Sequence, residues 1–304
     1  MPPALYVLGT VWLWSLIPLA VKVAYQTFDF GLITLTRLAL GTTVFALAEL
    51  VSGRGLKLPA RERKVDPLGP RCIGPRLWVV VAGLAIAGDL LLYTLGLRFT
   101  TASAATLIVS TDGIILALLG VLVLREQSSW LKLGAGVCAL CGLVLVGWNG
   151  QDWQSLLGSE YLLGNAIILC AACCWAVYGL GQRVLARSPG GGLFAIFLVG
   201  TGLAGLVALT QPLAHAPVRW SAVAALLYLG LGGTGLAYVL LARGMARLEA
   251  ATVGLLSSTL PIFTMVEAYL LIGETITPYL VGGIILVMVG VALIMRHQRV
   301  YGRE

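Results

Sequence analysis

Apolar residues run along this chain in long unbroken stretches, separated by short polar or basic links, and they do not alternate with polar ones. A spanning helix needs about 20 mainly apolar residues, and ten stretches approach that length. They are Ala4–Ala24, Asp29–Leu50, Arg76–Leu97, Thr100–Leu124, Trp130–Gly147, Glu160–Gln182, Gly192–Thr210, Trp220–Ala242, Glu249–Ile272 and Thr275–Met295. Continuous runs predict helices; a membrane barrel would show a period of two. Short links make neighbouring helices antiparallel. The pattern therefore predicts an all-α integral membrane protein. The first run has no charged segment before it and no cleavage signature after it, so it reads as a retained helix.

Composition narrows the class. Of 304 residues, 59% are hydrophobic and 11% charged, against roughly 25% charged in soluble domains. Mean hydropathy is +0.95. So few charges cannot cover a water-soluble fold of this size. The net charge of +7 does not point to nucleic acid, because the basic residues lie between apolar runs and form no single patch. Five of the six cysteines lie inside apolar runs, where they act as small apolar side chains, and no disulfide framework follows.

The basic residues instead set topology. With the N-terminus inside, sixteen of the twenty Lys and Arg fall on the inner side, six of them in the loop Val51–Pro75. Lys22, Arg98 and Arg219 fall outside, and Arg37 lies within a helix. Positive residues concentrate on the cytoplasmic side, so both termini are expected in the cytoplasm. With no targeting segment and a compact layout, a bacterial inner membrane is the expected location.

The chain also repeats itself. Shifted by 148 residues, Gly96–Leu145 aligns with Gly244–Leu293 without a gap, pairing Ser110 with Ser258, Thr111 with Thr259 and Glu126 with Glu274. Trp14 corresponds loosely to Trp175, and Lys22 to Arg183. Two repeats, 1–150 and 151–304, would hold five helices each. An odd number inverts the second repeat against the first, an architecture recurrent in transporters because it gives two nearly isoenergetic arrangements.

Ionisable residues inside apolar runs are costly and usually functional. Four qualify: Arg37, Asp89, Asp112 and Glu267. Asp89 and Asp112 sit near helix centres, and a carboxylate in a dry cavity can take a proton near neutrality. The competing reading is an ion pair of Arg37 with an aspartate that fixes helix register. Glu267 lies shallower and reads as a wetted residue of an outer vestibule. Ser110, Thr111, Ser258 and Thr259, beside Gly113 and Pro261, mark a polar belt at mid-depth, unless their hydroxyls bond their own helix carbonyls. Trp12, Trp14, Tyr93, Trp175, Tyr178 and Tyr238 fall at interior depths, away from the interfaces where such rings concentrate, and could enclose a ring or a cation. The glycines of Gly230–Gly235 permit close packing or bending of their helix.

No catalytic motif, metal-binding constellation or cofactor loop accompanies these residues, so no enzyme, cofactor or metal is expected. The paired repeats and the segments Thr101–Ala105 with Arg125-Glu126 and Glu249–Val253 with Gly273-Glu274, together with Trp14, Trp175 and Arg37, resemble the drug/metabolite transporter superfamily, EamA branch. That resemblance implies a multi-pass exporter or exchanger of small metabolites, with the YddG-type amino-acid exporters as the branch it fits best. It implies a central cavity bordered by the first, third, fourth, sixth, eighth and ninth helices. One departure stands out: the second half has no Arg matching Arg37. The expected cargo is an amino acid or related amphiphile. Proton coupling, direction of flow and oligomeric state stay open at this point, and a ligand-binding membrane protein that moves nothing is the competing function.

Overall fold

The computed structural model describes residues 3–51, 74–112, 114–116, 119, 130–148, 159–185, 193–212, 214–245, 256–257 and 259–301. Among them every regular element is a helix. These are α1 (Pro3–Ser15), α2 (Ile17–Ala24), α3 (Phe30–Val51), α4 (Pro75–Gly96), α5 (Ala102–Val109), α6 (Trp130–Trp148) and α7 (Glu160–Leu185). They continue with α8 (Leu193–Ala208), α9 (Trp220–Leu227), a π-helical segment (Tyr228–Leu236), α10 (Ala237–Met245), α11 (Leu260–Ile272) and α12 (Pro278–Tyr301). Five stretches are long and apolar enough to cross a membrane: Ala4–Ala24, Phe30–Val51, Pro75–Gly96, Glu160–Gln182 and Trp220–Leu241. Each coincides with a predicted run. Ser258, Glu126 and Gly113 lie outside the described residues.

Several of the helices are interrupted, and the sequence explains where. Leu16 separates α1 from α2, with a proline in the first turn of α2; proline there lacks the N–H that a continuous helix would use. The hydroxyl of Thr101 accepts from the Ala104 N–H and starts α5. That helix ends at Val109, and Ser110 and Thr111 form a turn. In the repeat-related position Thr259 is also a turn residue, immediately before α11 and Pro261. Gly273 closes α11 in the left-handed conformation, φ +69°, which suits glycine because it has no Cβ.

Packing joins the two ends of the chain. α4 lies against α7 and α8, α3 against α8 and the π segment, α6 against α12, α1 against α10 and α11, α2 against α9, and α5 against α7 and α11. Every one of these pairs unites a segment before residue 149 with one after residue 159. Lipid tails supply no hydrophobic drive between helices, so close backbone approach must hold them together. The crossing of α4 and α8 shows how: a Cβ added at Gly83 would stand 2.6 Å from Cβ of Val199 and 2.8 Å from the Ile196 carbonyl. The buried side chains form two main clusters. One gathers Val21, Ile33, Tyr93, Ile168 and Leu229; the other gathers Leu38, Phe45, Ile86, Tyr178 and Phe197.

Candidate functional site

The π segment is where the site begins. Its glycines let α3 come close: a Cβ at Gly230 would meet Leu40 at 2.5 Å, and one at Gly235 would meet Val44 at 2.7 Å. The widened turn redirects its polar groups. Thr234 donates to the carbonyl of Leu229, five residues back, at 2.9 Å. The Thr234 hydroxyl in turn accepts from Arg37 Nε at 3.0 Å, and the Gly233 carbonyl accepts from the Trp14 indole at 3.1 Å. Single π turns recur at functional sites for this reason.

Around Arg37 stands a charged centre. Arg37 and Asp89 are each 5% exposed. Arg37 lies within electrostatic reach of the Asp89 carboxylate and near the phenols of Tyr93, Tyr228 and Tyr238, and Asp89 lies within reach of Arg37 and Asp112. Arg37 and Asp89 nevertheless make no direct ion pair; the guanidinium turns to Thr234, and its Nη1 is buried without an acceptor. Tyr93 packs beside Thr106 of α5.

An aromatic row runs from this centre. Trp14 meets Tyr238 edge-on at 5.6 Å between centroids, Tyr238 meets Phe197 at 5.4 Å and Phe45 at 6.2 Å, Phe197 meets Tyr178 at 6.3 Å, and Tyr178 meets Trp175 at 6.2 Å. Edge-to-face contacts of this length are favourable. Trp175 also lies close to Tyr238, and Gln182 donates to the Tyr178 hydroxyl at 2.6 Å. Four of the rings picked from sequence thus share one row, and Tyr238 links it to the charged centre.

Other expectations change. Trp12 is 53% exposed and shares its face with the exposed Leu5; it turns away from Trp14, since residues two apart diverge by about 200° on a helix. It leaves the site. The hydroxyls of Ser110, Thr111 and Thr259 donate to the carbonyls of Thr106, Ile108 and Leu256, three or four residues back in the chain, at 2.8, 2.7 and 2.7 Å. Their protons are used locally, so they offer a ligand lone pairs alone. Glu267 is half-buried, with its carboxylate turned partly into the bundle. Its Oε1 lies 3.0 Å from the Ser15 hydroxyl and its Oε2 is buried with no hydrogen-bond partner. The break at Leu16 explains this, because it folds Ser15 inward against α11, where Thr264 donates to the Ser15 carbonyl at 3.2 Å. Phe45, Phe197, Ser15 and Thr234 were not singled out by sequence. The two phenylalanines look like any apolar residue in an apolar run; Thr234 carried a signal, the glycines around it.

A second polar cluster clasps the ends of three helices. Glu274, turned by Gly273, pairs with Lys22 Nζ at 2.8 Å through Oε1. The same carboxylate accepts from the N–H groups of Ala102 at 2.7 Å and Ser103 at 3.2 Å, and from the Ser103 hydroxyl at 3.0 Å. It thereby caps α5 from the other half of the chain, where the helix dipole favours an anion. Burial raises the carboxyl's pKa, but the Lys22 ammonium and the two N–H groups outweigh it and hold Glu274 below its ordinary value. A depressed pKa adds stability above the unfolded value, about 4.3, and that stability is lost as pH falls through the folded value. Thermal midpoints of purified protein should therefore drop more steeply below about pH 4.3 for wild type than for Glu274→Gln. Equal slopes would remove the clasp from the stability account. Beside it, Lys22, Tyr25, Asp29, Leu97, Arg98, Thr100 and His215 line an open cavity of about 550 Å³.

Comparison with known proteins follows the same lines. The model of the EamA-like transporter family matches residues 1–148 and 162–296. The chain is 25% identical to the uncharacterized inner membrane transporter YhbE of Escherichia coli over 86% of this chain and 78% of that protein. It is 24% identical to a probable terminal-alkyne amino-acid exporter of Streptantibioticus cattleyicolor, over 97% of this chain and 93% of the exporter. A solved crystal structure shares the fold at TM-score 0.67 and 21% identity, with 98% of each chain covered.

Proposed function

Because the chain belongs to the EamA-like transporter family, we propose that it exports or exchanges small organic metabolites, amino acids or related amphiphiles, by alternating access across a bacterial inner membrane. The observation that carries this is the charged centre and its aromatic row. Arg37, Asp89, Trp14 and Phe45 come from one half of the chain, and Thr234, Tyr238, Phe197, Tyr178 and Trp175 from the other. A site built from both halves changes its exposure when the halves rock against each other. The carboxylates Asp89 and Asp112 are the groups a coupled proton would use.

The helix pairings support ten helices in two inverted repeats, residues 1–150 and 151–304. Numbering the ten runs in chain order, exchanging each helix with its counterpart five places on maps the pairs onto one another. The third against the sixth matches the first against the eighth. The second against the eighth matches the third against the seventh, and the fourth against the sixth matches the first against the ninth. The pairs second–seventh, fourth–ninth and fifth–tenth map onto themselves. Such pairings are what two halves related by a two-fold axis would make, which supports the inverted-repeat reading. The Lys22–Glu274 contact agrees with a topology that puts both residues outside and both termini in the cytoplasm.

Proteoliposomes loaded with amino acids, with and without a pH gradient, test the reading. Wild type should move at least one of them, and Trp175→Ala and Asp112→Asn should remain folded while losing most of the flux. Absence of transport for amino acids, nucleosides and sugars alike would contradict it.

A further inference from the structure

Two opposite charges on neighbouring helices, deep in the bundle, fail to close on each other. Arg37 directs Nε to Thr234 and keeps Nη1 buried with no acceptor. Asp89, 5% exposed on α4, lies within electrostatic reach of the guanidinium yet forms no ion pair with it. A buried guanidinium N–H without an acceptor, beside a buried carboxylate it does not close on, is expensive in a membrane interior, and an ion pair that merely fixed helix register would be closed. The arrangement is instead complementary to something that brings its own anion and its own cation. The pair is neutral together, so a neutral cargo carrying both charges leaves the site neutral, whereas a lone anion or a lone cation leaves a net charge buried.

Taking the transport reading above as its basis, we propose that the space between Arg37 and Asp89 is a head-group site for zwitterions. Arg37 Nη1 receives the carboxylate of an α-amino acid, Asp89 receives its ammonium, and the side chain lies along the row that begins at Tyr238. The fork of Arg37 suits a carboxylate better than a lysine would. The second half supplies no arginine matching Arg37, so the head group binds in one orientation whichever side is open.

The test uses full-length protein in nanodiscs, with thermal shift and calorimetric titration. The probes are the twenty proteinogenic L-amino acids, each set against its carboxamide, which lacks the carboxylate, and its deamino acid, which lacks the ammonium. Amino acids with apolar side chains should bind, and each altered head group should bind at least about thirty-fold more weakly, the factor usual for stranding one partner of a buried charge pair. Arg37→Gln should lose the preference for acid over carboxamide, and Asp89→Asn the preference for amino acid over deamino acid. Binding of no amino acid, or of the carboxamide as tightly as the acid, overturns the proposal on wild-type protein alone, whether or not the variants fold. Flux assays with the same protein in proteoliposomes separate the two readings. Selective binding without flux removes transport and keeps the site; flux indifferent to the carboxamide removes the site and keeps transport.

Discussion

Replacing Gly83 with leucine is expected to prevent assembly of the bundle, or to lower its stability by at least about 3 kcal/mol, the upper range for overpacking a filled interior. The first added carbon would already stand 2.6 Å from Val199 and 2.8 Å from the Ile196 carbonyl. That carbonyl belongs to a helix backbone and cannot rotate away. From the facing side, a Cβ at Gly200 would stand 3.1 Å from the Gly83 carbonyl, so the two backbones are in contact and α4 and α8 would have to separate. Their crossing joins the two ends of the chain, so the damage would spread to the aromatic row through Phe197 on α8. The control sits on the same helix: a Cβ at Gly202 meets nothing within 4 Å, and Gly202→Leu should leave the thermal midpoint unchanged. Size-exclusion profiles and thermal midpoints in detergent read both variants, and equal behaviour would mean that close approach does not hold the bundle together.

Tyr238→Ala should cost about 2–3 kcal/mol, below the full cost of truncating a wholly buried aromatic because the ring is partly buried, and should abolish flux. Tyr238 is the one described ring that touches Trp14, Phe45 and Phe197 together, and its hydroxyl lies within electrostatic reach of Arg37 and Asp89. Removing it both opens a void and separates the charged centre from the row. Tyr238→Phe distinguishes these contributions. The ring contacts survive, so stability should stay within about 1.5 kcal/mol of wild type, the cost of one neutral hydrogen bond. Flux should still fall if the hydroxyl helps set the geometry around Arg37. A Tyr238→Phe protein with wild-type flux would confine the residue to packing.

The contrast between Trp12 and Trp14 shows where sequence reasoning reaches its limit. Hydropathy gives depth in the bilayer, and both rings stand at similar depth; it does not give the direction a helix faces when every face is apolar. Lipid and protein interior reward the same side chains, so Trp12 on the outside and Phe197 on the inside carry no distinguishing mark. Charges escape this ambiguity, because a buried Arg37 or Asp89 must face protein wherever the helix turns. The helix interruptions were half legible. Pro18, Pro261 and the glycines before Gly235 mark weak points, yet the widening of Tyr228–Leu236 into a π segment depends on α3 pressing into the space those glycines leave. The clasp of Glu274 was marked in the repeat alignment as a residue, while its partners Lys22, Ala102 and Ser103 became visible once the helices were brought together.

Access to the middle of the bundle decides the central claim. With the six native cysteines replaced and Ser110→Cys introduced at the half-buried turn after α5, a membrane-impermeant thiol reagent can be applied separately to right-side-out and inside-out vesicles. Two interleaved halves that expose one site to each side in turn should allow labelling from both faces, with transported amino acid slowing it from either. Labelling from one face under every condition, or from neither, would contradict that account.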